Sequence, residues 1–135
     1  MKVSENMLWS LPFIHAAGDL VPLSHVKEVC GYSLGKPRSP WEQPDYALCV
    51  KHGKKYAVRI RLTGWEDSRQ KKPVRRPLYM AVVLDSLAHE LAHVVHWEHT
   101  PQHLALQSDL MKRFAVIAER EGVQDTYDRL GRSKK

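Results

Sequence analysis

The stretch from Leu78 to Glu98 constrains the fold of this chain most, because apolar residues cover nearly the whole circumference of a helix there. Such a helix is predicted to be mostly buried. Its polar side chains nevertheless form one stripe along it: Asp85, Ser86, His89, Glu90, His93 and His96. Burying unpaired charge is costly, so the stripe needs a partner. A metal ion would satisfy two of the histidines at once.

The stripe contains the motif H-E-x-x-H at positions 89–93. His89 and His93 are four residues apart, so their imidazoles share one helix face and can reach one ion at roughly 2.0–2.1 Å. Glu90 points beside that ion, which suits a general base acting on the attacking water while the metal polarises a scissile carbonyl. The motif therefore predicts a zinc-dependent peptidase.

A catalytic zinc also needs a third protein ligand. The candidates are His96, His99, His103, Glu119 and Glu121. His96 is unsuitable, because seven residues of straight helix past His89 rise about 10.5 Å. His99 is favoured, since the chain should leave the helix before Thr100 and a turn there can bring its imidazole back. Glu121 stays open as an alternative, because it continues the apolar face of the next helix and would define a gluzincin-like minimal peptidase.

Two apolar–polar alternations, at 45–50 and 56–63, flank a short segment that contains Gly53. They predict a β-hairpin. The following residues, 64–77, are predicted to form a polar loop.

Helix signals stand on both sides of this region. Ser24 and Gly31 predict the start and end of a short helix. Thr100 is a good N-cap and Pro101 a good first residue, so a second helix should begin there and end near Gly122. Its apolar face recurs at helical spacing: Leu106, Leu110, Phe114 and Ile117.

Length and composition predict one domain over residues 1–135, with enough apolar residues (43%) to form a core. Cys30 and Cys49 do not form a CxxC motif, which indicates a reducing compartment. The sequence shows no convincing signal peptide and no apolar stretch of membrane-spanning length. We therefore expect a soluble, intracellular, cytoplasmic protein. The oligomeric state is left open.

The chain is basic, with a net charge of +6 and a pI of about 9.4, which favours anionic partners such as nucleic acid. The positive side chains concentrate in one predicted loop: Arg69, Lys71, Lys72, Arg75 and Arg76. The KHGKK turn and the RSKK tail are further candidates, and contacts of this kind would be independent of DNA sequence and sensitive to salt. Trp65 could stack on a base. A non-enzymatic nucleic-acid-binding protein with a structural or vestigial metal site is therefore an alternative.

The run VLDSLAHELAHVVHWEHTPQH resembles the active-site block of the WLM and SprT-like (Spartan-type) small zinc metallopeptidases. The shared features are an apolar lead-in, HELAH, a five-residue spacer and a further His. The order of a basic strand YAVRIRLT, a loop and the helix is similar as well. The resemblance covers roughly residues 45–118. His103 stands where the family's HxxxF pattern has an aromatic residue.

This resemblance implies an α+β, zincin-like domain in which a short antiparallel or mixed sheet packs on the HExxH helix and a following helix. It implies a catalytic core at 45–121 and leaves the role of residues 1–40 open, with a pro-segment as one option. It also implies one zinc ion per chain. The ligands would be His89, His93 and His99, and Glu90 would be the base.

The resemblance also concerns substrates and partners. In such folds an edge strand pairs with an extended protein or peptide substrate, and residues 56–63 are the candidate strand, with Val58, Arg59, Ile60 and Arg61 at its centre. The family implies proteolysis of DNA-associated proteins, with DNA binding for recruitment. A peptidase with one dedicated protein target, independent of DNA, is a further alternative.

Overall fold

The computed structural model describes residues 1–32, 47–67, 73–78 and 80–121. Four strands form a mixed sheet in the order β1-β2-β4-β3. The strands are β1 (Lys2–Val3), β2 (Val26–Tyr32), β3 (Ala47–His52) and β4 (Lys55–Arg61). Strands β1, β2 and β4 run parallel, whereas β3 is antiparallel to β4. The predicted α+β class with a mixed sheet is confirmed.

The predicted β-hairpin is confirmed by β3 and β4, which pair from Ala47 opposite Ile60 to His52 opposite Lys55. Gly53 in the connecting turn has φ of 61°, a left-handed conformation that glycine adopts without strain. The predicted edge position of residues 56–63 is wrong, because β4 pairs with β2 on one side and β3 on the other. Within the four-stranded sheet, β3 is the edge strand next to β4.

Part of the predicted polar loop at 64–77 is a second hairpin. Strand β5 (Thr63–Asp67) pairs antiparallel with β6 (Pro73–Pro77). The period-two signal there is weak because most residues of the segment are polar. The strands are defined by their backbone pairing, from Thr63 opposite Pro77 to Asp67 opposite Pro73.

The predicted helix from Ser24 to Gly31 is wrong. A 3-10 turn spans Leu23–His25 and the strand β2 follows it. Val26 and Val29 are buried in the core, and β2 gains backbone partners from both β1 and β4. These long-range pairings outweigh the local helix signals.

Both predicted C-terminal helices are present. Helix α2 spans Met80–Val95, shorter at each end than the predicted 78–98, and α3 spans Pro101–Arg120. The N-cap prediction is confirmed, since the Thr100 hydroxyl accepts a hydrogen bond from the His103 backbone N–H at 3.2 Å.

The core lies between the sheet and the helices. Helix α2 packs against β3, β4 and α3. The N-terminal residues contribute to the same core through a 3-10 helix (Glu5–Ser10) and α1 (Leu11–Ala16), where Phe13 makes an edge-to-face contact with Phe114 at 5.6 Å between ring centroids. The sequence leaves the role of residues 1–40 open, and the described part of them, 1–32, supplies two strands of the sheet and several core side chains. Within the described residues, no helix combines the length and the apolar character that crossing a membrane requires.

Candidate metal centre

Two polar stripes with four-residue spacing face each other across the interface of α2 and α3. Asp85, His89 and His93 form the stripe on α2, and His99, His103 and Gln107 form the stripe that continues into α3. Because the chain reverses direction between the helices, the first residue of one stripe lies near the last of the other. Hydrogen bonds join Asp85 to Gln107, and His89 to both His103 and Gln107.

Three histidines of these stripes could hold a metal ion. His89, His93 and His103 each offer one nitrogen, and the three nitrogens lie within 4.8 Å of one another. His93 and His103 are buried and His89 is half-buried. The HExxH pair is therefore brought together as the sequence predicts, while His103 joins it from α3.

The predicted third ligand, His99, also lies at this cluster. Its Nε2 atom is 3.2 Å from Nε2 of His89, and Nε2 of His93 is 3.1 Å from the same atom. The ring centroids of His93 and His99 are 4.7 Å apart. Helix α2 ends at Val95, and this early end lets the chain turn back so that the exposed residue His99 reaches the cluster.

The orientation of His93 is set by backbone carbonyls just beyond α2. Its Nδ1 atom is 2.8 Å from the Trp97 carbonyl oxygen and 3.3 Å from that of His96. A carbonyl oxygen only accepts hydrogen bonds, so Nδ1 carries a proton and donates it. Burial lowers the pKa of His93, and charge repulsion from the neighbouring His103 and His89 lowers it further. The ring is therefore neutral at pH 7, with its lone pair on Nε2.

His103 makes a different contact. Its Nε2–H donates to the backbone carbonyl of His89 at 3.0 Å, and its ring lies 4.2 Å from the ring of His93 at a 33° tilt. Burial is the main cause that lowers the pKa of His103. Sequence reasoning treated His103 only as one ligand candidate and missed this interhelical bond. The four-residue spacing between His99 and His103 was the sequence signal that could have placed His103 on the same face as His99.

Gln107 is the polar residue that sequence reasoning missed altogether. Its Oε1 atom is 2.9 Å from Nδ1 of His89, and its amide Nε2 donates to Oδ1 of Asp85 at 3.0 Å. Metal-binding histidines usually donate their second N–H to an oxygen acceptor, and Gln107 fills that place for His89. Gln107 lies four residues past His103 and so continues the polar stripe of α3. This spacing was the only local sequence signal for its role.

The predicted base, Glu90, is buried, with only 5% of its surface exposed. Its Oε1 atom is 3.8 Å from Nε2 of His89, beside the nitrogens of the cluster. Its charge also acts on Cys49 in the edge strand β3. Burial first, and the negative charge of Glu90 second, raise the pKa of the Cys49 thiol to about 12. Cys49 therefore stays a neutral thiol beside the site at pH 7.

A cleft of about 580 Å³ opens beside Glu90 and His89. It is lined by residues of α2 and the first residue of β3: Ala47, Ala81, Val82, Asp85, Ser86, His89 and Glu90. The lining combines three small apolar residues with four polar ones, and Glu90 and His89 are among the polar ones. The edge strand and the candidate metal centre thus border one open space.

The other predicted site residues lie elsewhere. Glu121 caps the end of α3, roughly 27 Å along the helix axis from His103, which separates it from the histidine cluster. In the predicted substrate strand, Val58 and Ile60 are buried in the core, Arg61 is buried and Arg59 is exposed. No segment of β4 has a free backbone edge for a peptide, because both its sides are paired over the described residues.

Several residues predicted to bind nucleic acid lie outside the described part of the chain. Arg69, Lys71, Lys72 and the RSKK tail lie outside the described residues, and Trp65, Arg75 and Arg76 are described by their backbone alone, in β5 and β6. A DNA-directed role therefore stays a prediction from sequence.

Comparisons of the chain with protein-family models, curated proteins and solved structures found no match. The resemblance to WLM and SprT-like peptidases thus rests on the motif quoted above. What the fold and the site define is a small α+β domain with a histidine cluster that could hold a metal ion.

Proposed function

We propose that this protein is a zinc-dependent metallopeptidase with a zincin-like active site, in which Glu90 is the general base. One observation carries the proposal. The Nε2 atoms of His93 and His99 both lie within 3.2 Å of Nε2 of His89, while the buried carboxylate of Glu90 stands beside that nitrogen.

The spacing of these nitrogens fits a tetrahedral metal. Nitrogens bound to zinc at about 2.0–2.1 Å with tetrahedral angles are about 3.3 Å apart. The observed Nε2–Nε2 distances from His89 are 3.1 Å to His93 and 3.2 Å to His99. Three imidazoles form a ligand set typical of a catalytic zinc, which keeps a fourth position open.

His99 is a better third ligand than His103. The Nε2–H of His103 is already donated to the His89 carbonyl, and a nitrogen that carries a proton has no lone pair for a metal. His103 would therefore have to bind through Nδ1 or break its bond to α2. His99 offers Nε2 at the required distance, and its exposure would leave a bound metal accessible.

When bound, zinc would polarise the scissile carbonyl and make a nearby water easier to deprotonate. Glu90 takes the proton of the attacking water, whose oxygen forms a bond to the carbonyl carbon. The C–N bond then breaks, and Glu90 returns the proton to the leaving amine. Its position 3.8 Å from His89 Nε2 places the carboxylate beside the ligands, which suits this transfer.

The cleft supports a peptide substrate. It borders Glu90, His89 and Ala47 at the start of the edge strand β3. An extended chain could lie there with its scissile bond at Glu90. It could hydrogen-bond to the side of β3 that has no strand partner among the described residues, as peptides do when they add to a sheet edge.

The test compares Glu90→Gln with Glu98→Gln, a matched change at an exposed position of the same sequence block. Zinc content is measured by elemental analysis, and hydrolysis is measured with an unfolded, fluorophore-labelled protein. We expect one zinc per chain in all samples and a loss of activity of about 10²–10⁴-fold in Glu90→Gln alone. Absence of zinc from the wild type after reconstitution, or unchanged hydrolysis in Glu90→Gln, would overturn the proposal.

A further inference from the structure

We propose that Gln107 is a positioning residue of the metal centre, which holds His89 in the one neutral tautomer that can bind the ion. This inference rests on the proposed function, since it concerns the same ion. It adds α3 to the machinery of a site whose motif lies wholly on α2.

Two hydrogen bonds link Asp85 to His89 through Gln107, and the chemical groups decide which atom donates in each. The Asp85 carboxylate only accepts, so it selects the amide orientation in which Gln107 Nε2 donates to it at 3.0 Å. That orientation turns Oε1 of Gln107 toward His89 Nδ1, 2.9 Å away. An amide oxygen also only accepts, so His89 must carry its proton on Nδ1.

This tautomer changes the contact between His89 and His93. A neutral imidazole has one N–H, and His89 uses it on Gln107. His93 likewise uses its own on the Trp97 carbonyl. The 3.1 Å contact between the two Nε2 atoms therefore joins two lone pairs without a proton between them. Two lone pairs that face each other repel, but both can bind the same cation. By fixing the proton of His89 on Nδ1, Gln107 thus favours a metal site over a hydrogen bond between the two histidines.

The scaffold holds Gln107 firmly enough for this role. His103, one turn before it, donates to the backbone carbonyl of His89, so α3 contacts both the side chain and the main chain of that residue. Leu110 and Phe114, on the turns after it, are fully buried in the core. Gln107 is thus fixed on a packed helix rather than on a loop.

The two ligands differ in a way that makes the role testable. The acceptor for His93 is a backbone carbonyl, which substitution cannot remove, whereas the acceptor for His89 is a side chain. In Gln107→Leu, His89 is free to carry its proton on Nε2 and donate it to His93. That internal hydrogen bond would then compete with zinc.

The experiment measures zinc affinity by competition with a chromophoric chelator in the full chain. We expect Gln107→Leu to bind zinc about 10–100-fold more weakly than the wild type. Gln102→Leu is the matched control, because Gln102 is exposed on the first turn of α3, and it should bind like the wild type. Thermal unfolding of the metal-free forms checks that each variant folds.

A paired change supplies the rescue. In Gln107→Glu combined with Asp85→Asn, the carboxylate at position 107 accepts a hydrogen bond from His89. The amide at position 85 donates to that carboxylate, so His89 still donates from Nδ1. We expect its zinc affinity to lie within a few-fold of the wild type. Nitrogen-15 spectra of the zinc-loaded wild type should also show His89 protonated at Nδ1.

The outcomes separate this inference from the proposed function. If the wild type binds no zinc, both fail. If the wild type binds zinc, equal affinity in Gln107→Leu, or a His89 protonated at Nε2, overturns the role of Gln107 and leaves the metallopeptidase proposal standing. If Gln107→Leu does not fold, the paired variant and the His89 spectrum decide, and failure of either one to meet its expectation overturns the role.

Discussion

Gln107 on α3 accepts a hydrogen bond from His89 on α2 at 2.9 Å, although 18 residues separate them in sequence. The HExxH motif is therefore only half of the polar surface at this site. The other half starts at His99 and runs along the first two turns of α3. The connection between the helices, from His96 to Thr100, decides how the halves meet.

Alanine substitutions at His99 and His103 should have different effects. If His99 is the third ligand, His99→Ala loses bound zinc and leaves the metal-free fold intact, since this residue is exposed. His103→Ala removes a buried ring and its bond to α2, so we expect it to destabilise the metal-free protein by about 1–3 kcal/mol. Zinc stoichiometry and urea unfolding separate the two effects. Loss of zinc in His103→Ala with retention in His99→Ala would instead identify the buried cluster of His89, His93 and His103 as the ligand set.

The N-cap residue of α3, Thr100, should affect both the stability of the fold and zinc binding. Thr100→Ala removes the hydroxyl that accepts from the His103 backbone N–H, and we expect a loss of about 1 kcal/mol in the free energy of unfolding. Because Thr100 directly follows His99, zinc affinity should fall as well. Thr100→Ser keeps an accepting oxygen and should behave nearly like the wild type. Equal stability of the Ala and Ser variants would contradict the capping role.

The metal-free protein should lose stability as the pH falls below about 6.5. The pKa values of His93 and His103 lie below this usual value in the folded state, chiefly because of burial. Just below pH 6.5 the unfolded chain therefore binds protons that the folded chain does not, which favours unfolding. Urea unfolding with a chelator at pH 7.5, 6.5 and 5.5 would measure the decrease. His103→Gln should reduce it, and a stability that stays flat or rises on acidification would contradict the expected shifts.

Two glycines offer a matched test of the sheet. A Cβ atom at Gly31 would overlap the Leu62 side chain and lie 2.8 Å from Oδ1 of Asn6, so Gly31→Ala should destabilise the fold by about 1–3 kcal/mol. Gly53→Ala has no atom within 4 Å of the new Cβ and meets only the strain of its positive φ, about 1 kcal/mol. Thermal unfolding compares them, and a larger loss at Gly53 would contradict the close packing of the N-terminal segment on β2.

The sequence by itself determined the elements whose signals are local. The spacing of apolar residues identified α2, and Thr100 with Pro101 fixed the start of α3. Alternation around Gly53 identified the hairpin of β3 and β4. The four-residue spacing of His89 and His93 was enough to bring their rings together, because helix geometry alone places them on one face.

Only the tertiary structure decided which residues complete the site and where each strand lies. Residues 26–32 carry helix signals yet form a strand, because they pair with β1 and β4. The same pairing makes β4 an interior strand and leaves β3 at the edge. His103 and Gln107 act on His89 from another helix, at sequence separations of 14 and 18 residues. Such contacts depend on how α2 and α3 pack, which no local pattern encodes.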